Sequence, residues 1–164
     1  MISLQESAAI VTGASSGIGK AVSAALAAKG ARVAMLARNT ERLKATSSEV
    51  GGLALKCDVR EAAEVEAAVE TAASEFGRID ILINAAGLSL NGPVDGYSNA
   101  DWDTVIGTNL SGTFYTCRAV LPYMKRQKWG QIVNVASGAG RNGIRDMAAY
   151  CASKFGVIGF TESL

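Results

Sequence analysis

The segment 12-TGASSGIG-19 follows a short apolar run, Ala8–Val11, and leads into a helical pattern, Ile18–Lys29. A strand, a glycine-rich turn and a helix start together make an anion site. Glycines let the main chain approach closely, and the unpaired N–H groups at the helix start point toward a phosphate. Spacing excludes two other nucleotide loops. A P-loop needs a glycine, four residues, then Gly-Lys-Ser/Thr. Gly19-Lys20 is present, but Ala14 and Ala21 stand where the first glycine and the magnesium-binding hydroxyl belong. The GxGxxG fingerprint also fails, because Val22 occupies the place of its last glycine. A plain tight turn would not need Gly13, Gly17 and Gly19 together.

Outward from this loop, short apolar runs alternate with amphipathic stretches. Strands are predicted at Ala8–Val11, Arg32–Leu36, Gly52–Leu55, Ile79–Ile83 and Gln131–Val135, and helices at Ile18–Lys29, Thr40–Val50, Arg60–Phe76 and Asn99–Gln127. Most of the apolar runs lack polar alternation, so they are read as strands buried on both faces. Gly30 and Gly77 stand where helix C-caps belong. Pro122 either kinks the long helix or marks its final turns. Strand and helix in regular alternation mean an α/β fold. The chain is read as one Rossmann-like domain over residues 1–164, a doubly wound parallel sheet with right-handed crossovers.

Composition narrows the chemistry. The 164 residues carry a net charge of +1, with basic and acidic side chains interspersed, which argues against a nucleic-acid or membrane binder. Lys125-Arg126-Gln127-Lys128 is read as a cationic helix end facing the dipole. Cys57, Cys117 and Cys151 are far apart, and the chain has no histidine, so neither a disulfide framework nor a metal site is expected. No apolar run approaches the ~18 residues of a membrane span. The start, MISLQESAAIVTG, lacks a signal-like pattern. A cytoplasmic protein with reduced thiols is expected.

Further along, Asp58 follows the third strand and Asn84-Ala85-Ala86-Gly87 follows the fourth. Asn109 lies in the next helix, and Ser137 closes the fifth strand. Tyr150 and Lys154 then stand four residues apart in 150-YCASK-154. With Thr12-Gly-x-x-x-Gly-x-Gly19, this ordered set resembles the short-chain dehydrogenases/reductases, and is generally similar to their 3-oxoacyl-carrier-protein reductases. The resemblance covers the whole chain. It implies cofactor contacts from Gly13, Ser15, Ser16, Gly17, Ile18 and Gly19 in the loop. It implies others from Asp58 and Val59 at the adenine, and from Asn84, Ala85 and Gly87. It also implies that Lys154 binds the nicotinamide ribose and that Asn109 holds a water that relays protons to Lys154.

The chemistry of the Tyr–Lys pair can be argued from the residues. A free tyrosine has a pKa of about 10 and is a poor acid or base near neutrality. On a helix, positions i and i+4 share a face, so the Lys154 cation can sit near the Tyr150 hydroxyl and favour its phenolate. In a histidine-free chain, Tyr150 is then the candidate general acid and base. It would give a proton to a carbonyl oxygen in reduction and take it back in alcohol oxidation. Ser137, at the sheet edge where such folds bind ligands, would hydrogen-bond the same oxygen as charge develops. The expected function is hydride transfer between a nicotinamide cofactor and a ketone or secondary alcohol.

For NAD, an acidic residue belongs about twenty positions past the glycine loop. Here Ala37-Arg38 occupy that region. Arginine suits a 2′-phosphate instead, so NADP(H) is favoured over NAD, although the glycine loop carries Ser16 where many NADP-type members have a basic residue. Leu88–Leu90 and Gly138–Met147 are expected to line the substrate mouth, with Arg141 and Arg145 as solvated charges. The helical pattern still runs at Leu164, and the resemblance implies further strands and a substrate loop. The chain is therefore expected to lack the far wall of its substrate pocket, which keeps a non-catalytic NADP-binding module as the alternative. A homo-oligomer is expected through the helices carrying Phe114, Val120, Phe155, Ile158 and Phe160.

Overall fold

The computed structural model describes residues 4–164. Five strands, β1 (Ala8–Thr12), β2 (Arg32–Ala37), β3 (Leu53–Lys56), β4 (Ile81–Asn84) and β5 (Gln131–Asn134), form one parallel sheet in the order β3-β2-β1-β4-β5. Six helices are α1 (Gly17–Ala27), α2 (Thr40–Val50), α3 (Ala62–Phe76), α4 (Asn99–Ile106), α5 (Gly112–Gln127) and α6 (Ala148–Glu162). The apolar runs of β1 and β4 need cover on both faces, and the pleat sorts their side chains between two cores. Ile10, Leu36 and Leu82 join Val65, Val69 and Val120 from α3 and α5. Val11, Val33, Met35 and Ile83 join Leu43 of α2, with Val22 and Leu26 of α1 packed beside them. Helices thus cover both faces, as a doubly wound sheet requires.

The chain leaves β1 toward β2 on one side and returns to β4 on the other. The order reverses beside β1, and open α/β sheets bind ligands outside the strand ends at such a reversal. Thr12 and Asn84, paired across β1 and β4, mark this place.

Several elements differ from the sequence expectation. The predicted helix Asn99–Gln127 is interrupted: Gly107–Ser111 winds as a π-turn between α4 and α5. Pro122 lies in the last two turns of α5, one of the two places expected for it. Of the two predicted caps, Gly77 holds the left-handed position after α3. Helix α1 instead ends at Ala28 in the right-handed region, and Gly30, at φ +84°, turns the chain two residues later. Residues Ile79 and Asp80 stay outside β4, because Gln127 bonds both main-chain groups of Ile79 and the Asp80 carboxylate accepts from the Ala8 N–H. Nor is β5 buried on both faces: it lies at the sheet edge, with Gln131 and Val133 exposed.

Candidate active site

At the reversal the glycine loop is built by close packing. A Cβ on Gly13, whose φ is +65°, would lie 2.8–2.9 Å from the Ala85 and Ala86 main chain. One on Gly19 would lie 2.4 Å from the Gly13 carbonyl oxygen, so only glycine lets α1 start this close to the loop. Gly17, at φ +52°, faces open space. No side chain caps the start of α1 and no acid lies in its first turn, so its N–H groups are available to an anion. The Thr12 hydroxyl accepts from the N–H groups of Ala85 and Ala86, at 3.1 and 3.0 Å, and ties this loop to the one after β4.

A cavity of about 750 Å³ opens here. Of the sequence-predicted residues, Gly13, Ser15, Ser16, Gly17, Ile18, Arg38, Val59, Ala85 and Gly87 line it. Gly19, Asp58 and Asn84 do not. Gly19 is packed under the loop. The Asn84 amide is used inside the fold, donating to Asn134 Oδ1 at 2.9 Å and accepting from the Thr116 hydroxyl at 2.7 Å. The Asp58 carboxylate is clasped by the Arg60 guanidinium, with contacts of 2.7–3.1 Å. Those bonds to Arg60 hold its pKa below the usual carboxylate range. Among the lining residues that sequence reasoning missed are Arg42 and Thr108. Arg42, one helical turn past Arg38, was legible as a second cation on the first turn of α2. Thr108 had no signal beyond its place beside Asn109.

Of the catalytic candidates, Asn109 and Lys154 stand beside Gly87, with Tyr150 next to Lys154. Lys154 is buried, and its ammonium donates to the Val135 carbonyl at 2.6 Å. Its Nζ lies 5.7 Å from the centre of the Tyr150 ring and 3.8 Å from where a Gly87 Cβ would stand. Burial lowers the Lys154 pKa from its ordinary value. An ammonium has three donors, and the one bond to Val135 leaves others for a ligand.

Ser137 lies three residues past the end of β5, not in the strand, and starts a short 3₁₀ turn, Gly138–Gly140. Its hydroxyl oxygen accepts from the Ala139 N–H at 3.2 Å. Asn109 is in the π-turn rather than in a regular helix. Its amide clasps Leu88, accepting from the N–H and donating to the carbonyl, both at 2.9 Å. It also donates to the Ser153 hydroxyl at 3.0 Å, which donates to the Tyr150 carbonyl at 2.7 Å. The Asn109 side chain therefore fixes the loop after β4 against the second turn of α6. Arg145 is almost wholly in solvent.

This architecture defines a doubly wound α/β protein with a glycine loop that lines a cavity beside β1, and with a Tyr–Lys pair whose Lys154 ammonium stands near Gly87 at the cavity's edge. The family model described as short chain dehydrogenase matches residues 7–164, and the chain belongs to that family. It is 47% identical over 161 residues to a D-threitol dehydrogenase of Mycolicibacterium smegmatis, which takes in 95% of this chain and 62% of that protein. It is 40% identical to the human 3-oxoacyl-[acyl-carrier-protein] reductase, over 94% of this chain and 66% of that one. The chain thus spans about two thirds of the length of these relatives. Among solved structures, a metagenomic short-chain oxidoreductase in complex with NADP is 39% identical with a TM-score of 0.92, covering 99% of this chain and 76% of that one. No described helix is long and apolar enough to cross a membrane.

Proposed function

We propose that this protein is an NADP(H)-dependent oxidoreductase that interconverts a ketone and a secondary alcohol, with Tyr150 as acid and base. The observation that carries this reading is the buried Lys154 ammonium, 5.7 Å from the centre of the Tyr150 ring and near Gly87, which lines the cavity. The glycine loop and the start of α1 would hold the pyrophosphate. Arg38 and Arg42 would meet a 2′-phosphate, and the free Lys154 donors would hold the nicotinamide ribose. The cofactor supplies a hydride to the carbonyl carbon. Tyr150 supplies the proton to the carbonyl oxygen, and the Lys154 cation stabilises the phenolate left behind. The Ser137 hydroxyl donates to the same oxygen as charge develops. Asp58 and Asn84 act by shaping the adenine loop and the loop after β4, and a water on Asn109 returns protons toward Lys154.

For the substrate, the relatives named as a D-threitol dehydrogenase and a 3-oxoacyl-carrier-protein reductase point to two candidate classes, a polyol or its ketose and a 3-oxoacyl thioester. The protein would act in the cytoplasm as a homo-oligomer. The test is reduction of a panel of ketoses and 3-oxoacyl thioesters with NADPH and NADH, on wild type and Arg38→Asp. Wild type should prefer NADPH. The variant should lose NADPH efficiency at least tenfold and keep NADH efficiency, since a charge-assisted bond is lost and repulsion is gained. Equal use of both cofactors by wild type would rule out the 2′-phosphate assignment.

A further inference from the structure

We infer that Ser153 is a positioning residue for the Tyr150–Lys154 pair, an inference that rests on the reading of that pair given above. Ser153 is fully buried, at 0% exposed, and does not line the cavity. Its hydroxyl has one proton, which goes to the Tyr150 carbonyl at 2.7 Å. Its oxygen is left to accept, and it takes a bond from the Asn109 amide at 3.0 Å. The first bond is ordinary. Serine and threonine in helices often bond a carbonyl one turn back, as Ser23, Thr71 and Thr113 do. The second bond is not: it joins Ser153 to a side chain 44 residues away, on the π-turn between α4 and α5.

The packing beside this bond is close as well. Gly156 lies three residues along α6, on the same face. A Cβ there would stand 2.7 Å from the side chain of Leu110, which follows Asn109 in the π-turn. Ser153 and Gly156 of α6 thus meet Asn109 and Leu110 in one seam. Asn109 in turn clasps Leu88, the residue after Gly87, and Gly87 lines the cavity. Lys154, the residue after Ser153, is tied instead to the chain just past β5, through the Val135 carbonyl. The proton and the hydride must reach one carbonyl group from two different elements. Tyr150 rides on α6, and the loops at the strand ends would hold the cofactor. The seam at Ser153 sets the distance between them.

A positioning role separates from a purely structural one by the kinetic constant that suffers. Ser153→Ala removes the joint. Ser153→Cys keeps the volume with only weak hydrogen bonding, and it decides the matter should the alanine variant fail to fold. Both are compared with wild type in steady-state reduction of a ketone that wild type accepts, with NADPH affinity titrated in parallel. A displacement of about 1 Å at a reacting centre costs on the order of 10²-fold. Each variant should therefore lose about tenfold to a hundredfold in kcat, while KM for the ketone and the affinity for NADPH stay within about threefold of wild type. A folded variant whose kcat stays within about twofold of wild type would overturn the inference and leave the Tyr150 reading intact. So would a loss confined to KM or to NADPH affinity. A wild type that binds NADPH and reduces no ketone would overturn both.

Discussion

At the scale of single residues, polar side chains in this protein divide into those closed on themselves and those left with unused capacity. Asp58 belongs to the first group. Its folded pKa lies below the unfolded value of about 3.9, chiefly through the hydrogen bonds from Arg60. Its contribution to stability is therefore complete above the unfolded pKa and is lost as pH falls through the folded one. Arg60→Leu should flatten the acid limb of unfolding free energy, measured with urea across pH 2–5, and leave the curve above pH 5 parallel to wild type. An unchanged acid limb would mean that the pair contributes nothing. Lys154 belongs to the second group, with Val135 as its carbonyl partner. The roles of Gly13 and Gly19 were legible in the sequence because each has main chain too close for a Cβ, while Gly17 holds a left-handed conformation that favours glycine. The clasp of Asp58 by Arg60 was not legible, because a neighbouring cation and an adenine amine are equally good partners for a carboxylate. Arg42 was legible, since α2 starts at Thr40 as predicted, with Asn39 capping the Arg42 N–H.

At the scale of elements, strand alternation and apolar runs made the sheet legible, including the central strands β1, β2 and β4. The edge position of β5 was legible from the strand count that the resemblance implies, though its apolar composition resembles that of a central strand. The break at Gly107–Ser111 was not predicted, although Gly107 and Gly112, both poor helix formers, bracket it. Its cause is tertiary: the Asn109 amide is committed to Leu88, and Gly112 is pressed against Val59. The junction of β1 and α1 is equally constrained. Gly19→Ala would force a methyl to within 2.4 Å of the Gly13 carbonyl oxygen. We expect a loss of about 1–3 kcal/mol in urea unfolding, as overpacking typically costs, together with loss of NADPH binding. A stable variant with intact binding would show that the loop tolerates a looser fit.

At the scale of the whole molecule, exposed apolar surface bears on assembly. Phe114 and Phe155 are exposed, with Phe160 packed edge-on against Phe114. Val120, expected on the same face, lies instead in the core between α5 and the sheet. The surface left to a second copy is thus narrower than the sequence pattern suggested. Wild type at micromolar concentration should scatter light as an oligomer, and Phe155→Glu should shift it toward the monomer; an unaffected oligomer would place the interface elsewhere. The larger consequence of the sheet is that it brings a nucleotide cleft and a Tyr–Lys pair, distant in sequence, to one strand edge. The most direct test is a single-turnover measurement of NADPH oxidation with a ketone that wild type reduces, on wild type and Tyr150→Phe, with NADPH affinity titrated in parallel. The account predicts that the variant oxidises NADPH at least about a hundredfold more slowly while binding it with nearly unchanged affinity, since positioned acid catalysis is worth 10²–10⁴-fold. A Tyr150→Phe protein that turns over within about tenfold of wild type, or a wild type that binds NADPH and reduces nothing, would contradict it.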